Sequence, residues 1–121
     1  MTIRRVVPNL VCRRIQDTRK FYEDLLGFKV AMDMGWIVTL ASPENSTAQV
    51  SLSEGLPVPQ DDHPVLTIEV TDVDEINRRA LASPYEIAMT LREEEWGVRR
   101  FFIRDPDGRV VNIMGHPRIR G

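Results

Sequence analysis

The chain reads as an α+β protein, and three observations carry that reading. Apolar alternation with a period of two recurs in short stretches along the chain. Two other stretches carry apolar residues at helical spacing. The order strand, helix, three strands is written twice, about 58 residues apart. The halves share little amino-acid identity, so the repeat lies in order and period rather than in letters. Each half leaves an apolar sheet face it cannot cover alone, so two halves, from one chain or two, must meet. A length of 121 residues has room for one small domain.

The elements follow in order. Residues 3–12 are rich in Val and Leu and read as a strand whose ladder Pro8 weakens. Asp17, or the residues just before it, caps a helix whose apolar stripe is Phe21, Tyr22, Leu25 and Leu26. Gly27 suits the left-handed position that ends it. Strands follow at 28–33, 36–41 and 48–53, with Met34-Gly35 as a turn signal and 42–46 as a loop. Residues 1–54 thus form a first module. Residues 55–64, with three prolines and Gly55, form an extended linker. The second module, 65–121, opens with a strand at 65–71. Asp72 or Asp74 then caps a helix with Val73, Ile76, Ala80 and Leu81 on one face, ending before Pro84. Three more strands read at 86–91, 98–103 and 109–114. Asp105-Pro106-Asp107-Gly108 is the hairpin turn between the last two.

Charge and composition exclude several classes. Sixteen Lys and Arg against eighteen Asp and Glu give a net charge of −2, too little positive charge for a protein built to hold nucleic acid. No apolar run approaches the roughly 18–20 residues that cross a bilayer, and Met1-Thr2-Ile3-Arg4-Arg5 lacks an apolar signal core behind it. The lone Cys12 can form no internal disulfide, which predicts a reduced, cytoplasmic protein. Its alternation with Leu10 and Pro8 makes it a small buried hydrophobe on the helix side of the sheet. Cys12, His63 and His116 are the only soft or borderline metal ligands, and no Ser–His–Asp or Cys–His arrangement can be assembled from them. His63, between Asp62 and Pro64, reads as a solvated linker residue, and His116 as exposed or packed at the end of the last strand.

Phe21-Tyr22-Glu-Asp-Leu25-Leu26-Gly27-Phe28 resembles the FY–x–x–L–LGF helix end of the vicinal oxygen chelate superfamily, which includes glyoxalase I, extradiol dioxygenases, fosfomycin-resistance transferases and bleomycin-resistance proteins. Trp96-Gly97 with Phe101-Phe102-Ile103-Arg104-Asp105-Pro106-Asp107-Gly108 resembles its second-module hairpin, and Val70-Thr71-Asp72-Val73-Asp74 its strand-to-helix junction. The resemblance implies two βαβββ modules whose mixed sheets curve around a cavity, paired in a homodimer. It also implies a metal in catalytic members, whose ligand positions fall here on Val7, Val65 and Asn112. Valine has no donor atom and an Asn amide is a weak ligand alone. Sliding one strand by two residues brings in His63, but two ligands do not retain a transition metal. The resemblance is therefore to the metal-free, bleomycin-resistance-like branch, with no metal and no cofactor.

Strand parity lists the ligand-facing residues, since the family's ligand positions face inward. Val7, Asn9 and Val11 share a face, as do Val65, Thr67 and Glu69; Arg100, Phe102 and Arg104; Val110, Asn112 and Met114; and Gln49 with Ser51. The candidate ligand-binding set is Val7, Asn9, Trp36, Gln49, Val65, Trp96, Arg100, Phe102, Asn112 and Met114. Trp36 shares parity with Val38 and Leu40, so it can pack on a helix or stack on a ligand. Trp96, beside Glu93, Glu94 and Glu95, is too charged in its surroundings for a core anchor and suits a cavity mouth. The three glutamates read as a solvated run able to steer a cation. The expected function is metal-independent binding of a planar aromatic compound such as an antibiotic, without turnover. The alternatives are a metal-dependent lyase, isomerase or dioxygenase, and a structural module whose own side chains fill the cavity.

Overall fold

The computed structural model describes residues 2–55 and 62–116. The chain divides into two compact units, Met1–Val58 and Pro59–Gly121. In the first unit β1 (Asn9–Cys12) leads into α1 (Ile15–Lys20), which widens into a π-helical turn over Phe21–Leu25. Strands β2 (Lys29–Asp33), β3 (Ile37–Ala41) and β4 (Gln49–Glu54) follow. In the second, β5 (Pro64–Glu69) leads into α2 (Val73–Leu81), then β6 (Ile87–Glu93), β7 (Arg99–Arg104) and β8 (Val110–Gly115). Sheet orders are β1-β4-β3-β2 and β5-β8-β7-β6, the same word twice. In each unit the first strand runs parallel to the last, and the remaining pairs are antiparallel. The α+β class and the doubled strand–helix–three-strand order are as expected.

Each sheet buries one face under its helix. α1 lies against β3 and β4, and Leu10, Cys12, Val38, Leu40, Val50 and Leu52 are buried with Ile15, Phe21 and Leu25. Tyr22 stands edge-on to Phe21 and Phe28, with ring centres 5.0 and 5.8 Å away. α2 lies against β6, β7 and β8, and Val73, Ile76 and Ala80 are buried together with Phe101, Ile103, Val111 and Ile113. Gly115 permits this approach, because a Cβ there would sit 3.0 Å from the Val70 carbonyl oxygen and 3.2 Å from Val73 Cβ.

Several boundaries differ from the sequence reading. The first strand covers only Asn9–Cys12, not 3–12. Pro8 has no N–H to give, although its carbonyl accepts from Ser51 N at 2.9 Å. α1 starts at Ile15, two residues before Asp17, and its N-cap Arg14 makes no side-chain cap. Glu54 on β4 supplies one instead, its Oε1 accepting from Ile15 N at 3.3 Å. Leu26 is half-buried, unlike the rest of its stripe, and Leu81 at the end of α2 is exposed. Gly27 takes the left-handed conformation, φ +78°, as its position predicts. Asp72 is the cap of α2, accepting from Glu75 N at 3.1 Å. Asp74 instead ties the helix to β7 through Arg99, whose Nη2 donates to Asp74 Oδ1 at 2.8 Å. Most of the linker, residues 56–61, lies outside the described residues, and its Pro64 is the first residue of β5.

Candidate functional site

The most developed polar and aromatic cluster lies on the second unit's sheet, on the face that alternates with the buried Phe101 and Ile103. Antiparallel register places Phe102 opposite Asn112, and Arg100 opposite Met114. Parallel register places Thr67 beside Asn112, and Glu69 beside Met114. Two rows therefore cross the face, Thr67–Asn112–Phe102 and Glu69–Met114–Arg100. β6 extends them, with Met89 paired to Phe102 and Arg92 to Arg100.

Arg100 links the rows to the hairpin loop. Its guanidinium carbon lies 5.3 Å from the Trp96 ring centre and 5.0 Å from that of Phe102, within cation–π range of both. Its Nε donates to Glu94 Oε1 at 3.3 Å, and the same oxygen accepts from Arg92 Nε. Glu94 is thus no solvated member of an acidic run. Its side chain is 10% exposed, between two guanidinium groups. Hydrogen bonds from Arg92, then from Arg100, hold its carboxyl below the usual glutamate range. Trp96 is 65% exposed, as its charged neighbourhood predicts. Gly97, at φ +92°, lets the loop turn back to β7.

Asn112 is the polar centre of the other row. It is 7% exposed, its Nδ2 donates to Thr67 Oγ1 at 3.1 Å, and its Oδ1 has no hydrogen-bond partner among the described residues. A buried carbonyl oxygen without a donor is unusual, since such groups are nearly always paired. Arg104 shares parity with Arg100 but is committed elsewhere. Its Nε donates to Glu86 Oε2 at 2.7 Å, its Nη1 to the Gly108 carbonyl at 2.9 Å, and its Nη2 to Asp62.

Of the ten candidate residues, Trp96, Arg100, Phe102, Asn112 and Met114 come together on this face. Val65 belongs to the same unit, but the register slips between Pro64 and Leu66, leaving it as an extra residue, 49% exposed. That slip gives the place beside Asn112 to Thr67. Val7, Asn9, Trp36 and Gln49 belong to the first unit. Val7 precedes β1, so strand parity does not reach it. Asn9 is exposed opposite Ser51, whose hydroxyl pairs with that of Thr39 at 2.8 Å. Gln49 accepts from Arg5 Nη1 and donates to the Ser46 carbonyl, both at 2.7 Å. Trp36 is no strand residue and does not pack on the helix with Val38 and Leu40. It sits in the bend before β3 and is 66% exposed, while they are buried. Sequence reasoning missed Glu94 and Arg92 as part of the site. The available signal was an arginine at each end of the segment that carries the glutamates and Trp96.

The donor set does not fit a divalent metal. Val65 has no donor atom, and Asn112 offers one neutral oxygen. Among the described residues no three His, Cys, Asp or Glu side chains converge. His63 is exposed, and His116 faces Glu69, Nε2 to Oε2 3.8 Å. Nor is any helix among them long and apolar enough to cross a membrane.

Similar folds occur in proteins of differing function. TnmS3, described as an antibiotic binding protein from Streptomyces sp. CB03234, superposes with a TM-score of 0.80 at 21% identity, covering 97% of this chain and 99% of its own. FosX, a genomically encoded fosfomycin resistance protein from Listeria monocytogenes, superposes with 0.80 at 14% identity, covering 97% and 96%. TioX from Micromonospora sp. ML1 superposes with 0.75 at 18% identity, covering 93% and 98%. No curated protein matches the chain in sequence. The family model for the glyoxalase, bleomycin resistance protein and dioxygenase superfamily matches residues 2–113, nearly the whole of both repeats, and the chain belongs to that superfamily.

Proposed function

We propose that the chain is a metal-independent, cytoplasmic, homodimeric protein that binds and sequesters a planar aromatic compound such as an antibiotic, without transforming it. One observation carries the reading. Trp96, Arg100 and Phe102 form an aromatic and cationic platform beside the buried amide oxygen of Asn112, the residue on which the superfamily resemblance implies a ligand position. Such a mixture of apolar surface and a few fixed polar groups suits small-molecule recognition better than bond breaking. The likeness to the antibiotic-binding TnmS3 supports it.

The equally close superposition on FosX favours a second reading, a metal-dependent enzyme with an unusual ligand set. Titration of purified protein with planar aromatic compounds, followed by tryptophan fluorescence, separates the two. Saturable quenching that is the same in excess chelator and in added Ni²⁺, Zn²⁺ or Mn²⁺ supports binding without metal. Stoichiometric metal that survives dialysis overturns it. Trp96→Ala and Phe102→Ala are expected to weaken binding by about tenfold or more, from loss of stacking area. Sedimentation equilibrium at twice the chain mass of 13.9 kDa checks the dimer.

A further inference from the structure

We propose that the bound compound carries an anionic oxygen group, a carboxylate in its simplest form, and at a distance from it a hydrogen-bond donor. Arg100 reads the first and Asn112 Oδ1 the second. This rests on the binding function proposed above and narrows its ligand class.

Arg100 is built for the task by what already holds it. Two aromatic rings lie within cation–π range of the guanidinium, and Glu94 takes its Nε–H. Its Nη1 and Nη2 have no partner among the described residues, so a rigid fork of N–H donors remains at the guanidinium edge. That geometry matches the two oxygens of a carboxylate. The neighbouring arginines of β7 do not compete. Arg99 is bound to Asp74, and Arg104 to Glu86, Asp62 and the Gly108 carbonyl. Charge favours an anion as well, since Arg92 and Arg100 share the one carboxylate of Glu94. Glu69, in the same row, is largely exposed and lies 3.8 Å from His116.

Asn112 supplies the second, independent requirement. One of its two amide N–H groups donates to Thr67, and its Oδ1 is a buried acceptor with no hydrogen-bond partner among the described residues. A site with a buried acceptor discriminates strongly against a ligand that leaves it unpaired. Arg100 and Asn112 are diagonal neighbours across the β7–β8 ladder, roughly 7–8 Å apart at the backbone, with the Phe102 ring at the corner. A ligand that satisfies both spans a planar ring system instead of bearing both groups on one atom.

Isothermal titration calorimetry with three naphthalenes tests this: 6-hydroxy-2-naphthoate, its methyl ester, and 2-naphthoate. The hydroxy acid is expected to bind at least about tenfold more tightly than either, because each comparison removes one recognised group. Arg100→Gln should erase the acid-over-ester preference and leave the hydroxyl preference. Asn112→Leu should do the reverse. Asn112→Asp should weaken the acid more than the ester, by placing a second anion on the face. Ester and acid binding equally tightly would overturn the inference while leaving the binding function standing. Failure of all three compounds to bind counts against both. If a variant does not fold, the comparison of the three compounds on the native protein still decides.

Discussion

Arg109 is buried in the β7–β8 turn, its Nε donating to Asp105 at 3.0 Å and its Nη2 to Asp107 at 3.2 Å. Asp105 also accepts from the backbone N–H groups of Asp107 and Arg109, at 2.9 and 3.0 Å. Removing Asp105 leaves a buried cation short of its nearest anion. Asp105→Ala is therefore expected to cost about 3–5 kcal/mol in urea unfolding. Burial pushes the Asp105 carboxyl up, against the pull of Arg109 and those N–H groups. Asp74 moves the other way, held low chiefly by its hydrogen bond from Arg99. A lowered folded-state pKa contributes stability that is present above the unfolded value, about 3.9, and is lost as pH falls through the folded one. Asp74→Asn should flatten the acid limb of the stability–pH profile in that window, and an unchanged slope would contradict the assignment. Alternation along β7 and β8 is regular, so the residue pattern alone places Arg100, Phe102, Asn112 and Met114 on one face, as the register has them. The register slip at Val65 leaves no mark in the residue pattern, and neither do the two arginine contacts of Glu94, which exist only in the folded hairpin.

The two helices show what local sequence can and cannot specify. α2 carries its start signal beside it, and Asp72→Ala is expected to cost about 1 kcal/mol. α1 has none beside it: its visible cap comes from Glu54, 39 residues away. The end of the first helical segment was legible, since the left-handed Gly27 is a local requirement. Nothing lies within 4 Å of a Cβ built at Gly27, so Gly27→Ala tests backbone conformation alone and should cost about 1–2 kcal/mol. Gly115→Ala is a different case, because its φ is ordinary and its cost is a clash with Val70 and Val73 at the foot of α2. Thermal melts of the two variants, with Gly115→Ser as the bulkier companion, separate strain from crowding. Only the second position should worsen with side-chain size.

For the whole molecule, the doubled order was legible because period-two and helical patterns alternate cleanly, although the halves share few letters. A donor set that does not fit a metal predicts that chelator leaves the thermal midpoint unchanged. A midpoint that rises with added Zn²⁺ or Ni²⁺ would show a site that binds the native state selectively. The caps of the two helices also bear on the order of folding. α2 can be capped as soon as its first turn forms, whereas α1, only six residues long before it widens, waits for a residue at the far end of its unit. Closing that loop costs entropy that no local contact returns. The second unit's helix should therefore be formed in the folding transition state and the first unit's should not. Asp72→Ala should slow refolding, while Glu54→Ala should chiefly speed unfolding. Two copies of one architecture, in a single chain, would then fold by different routes.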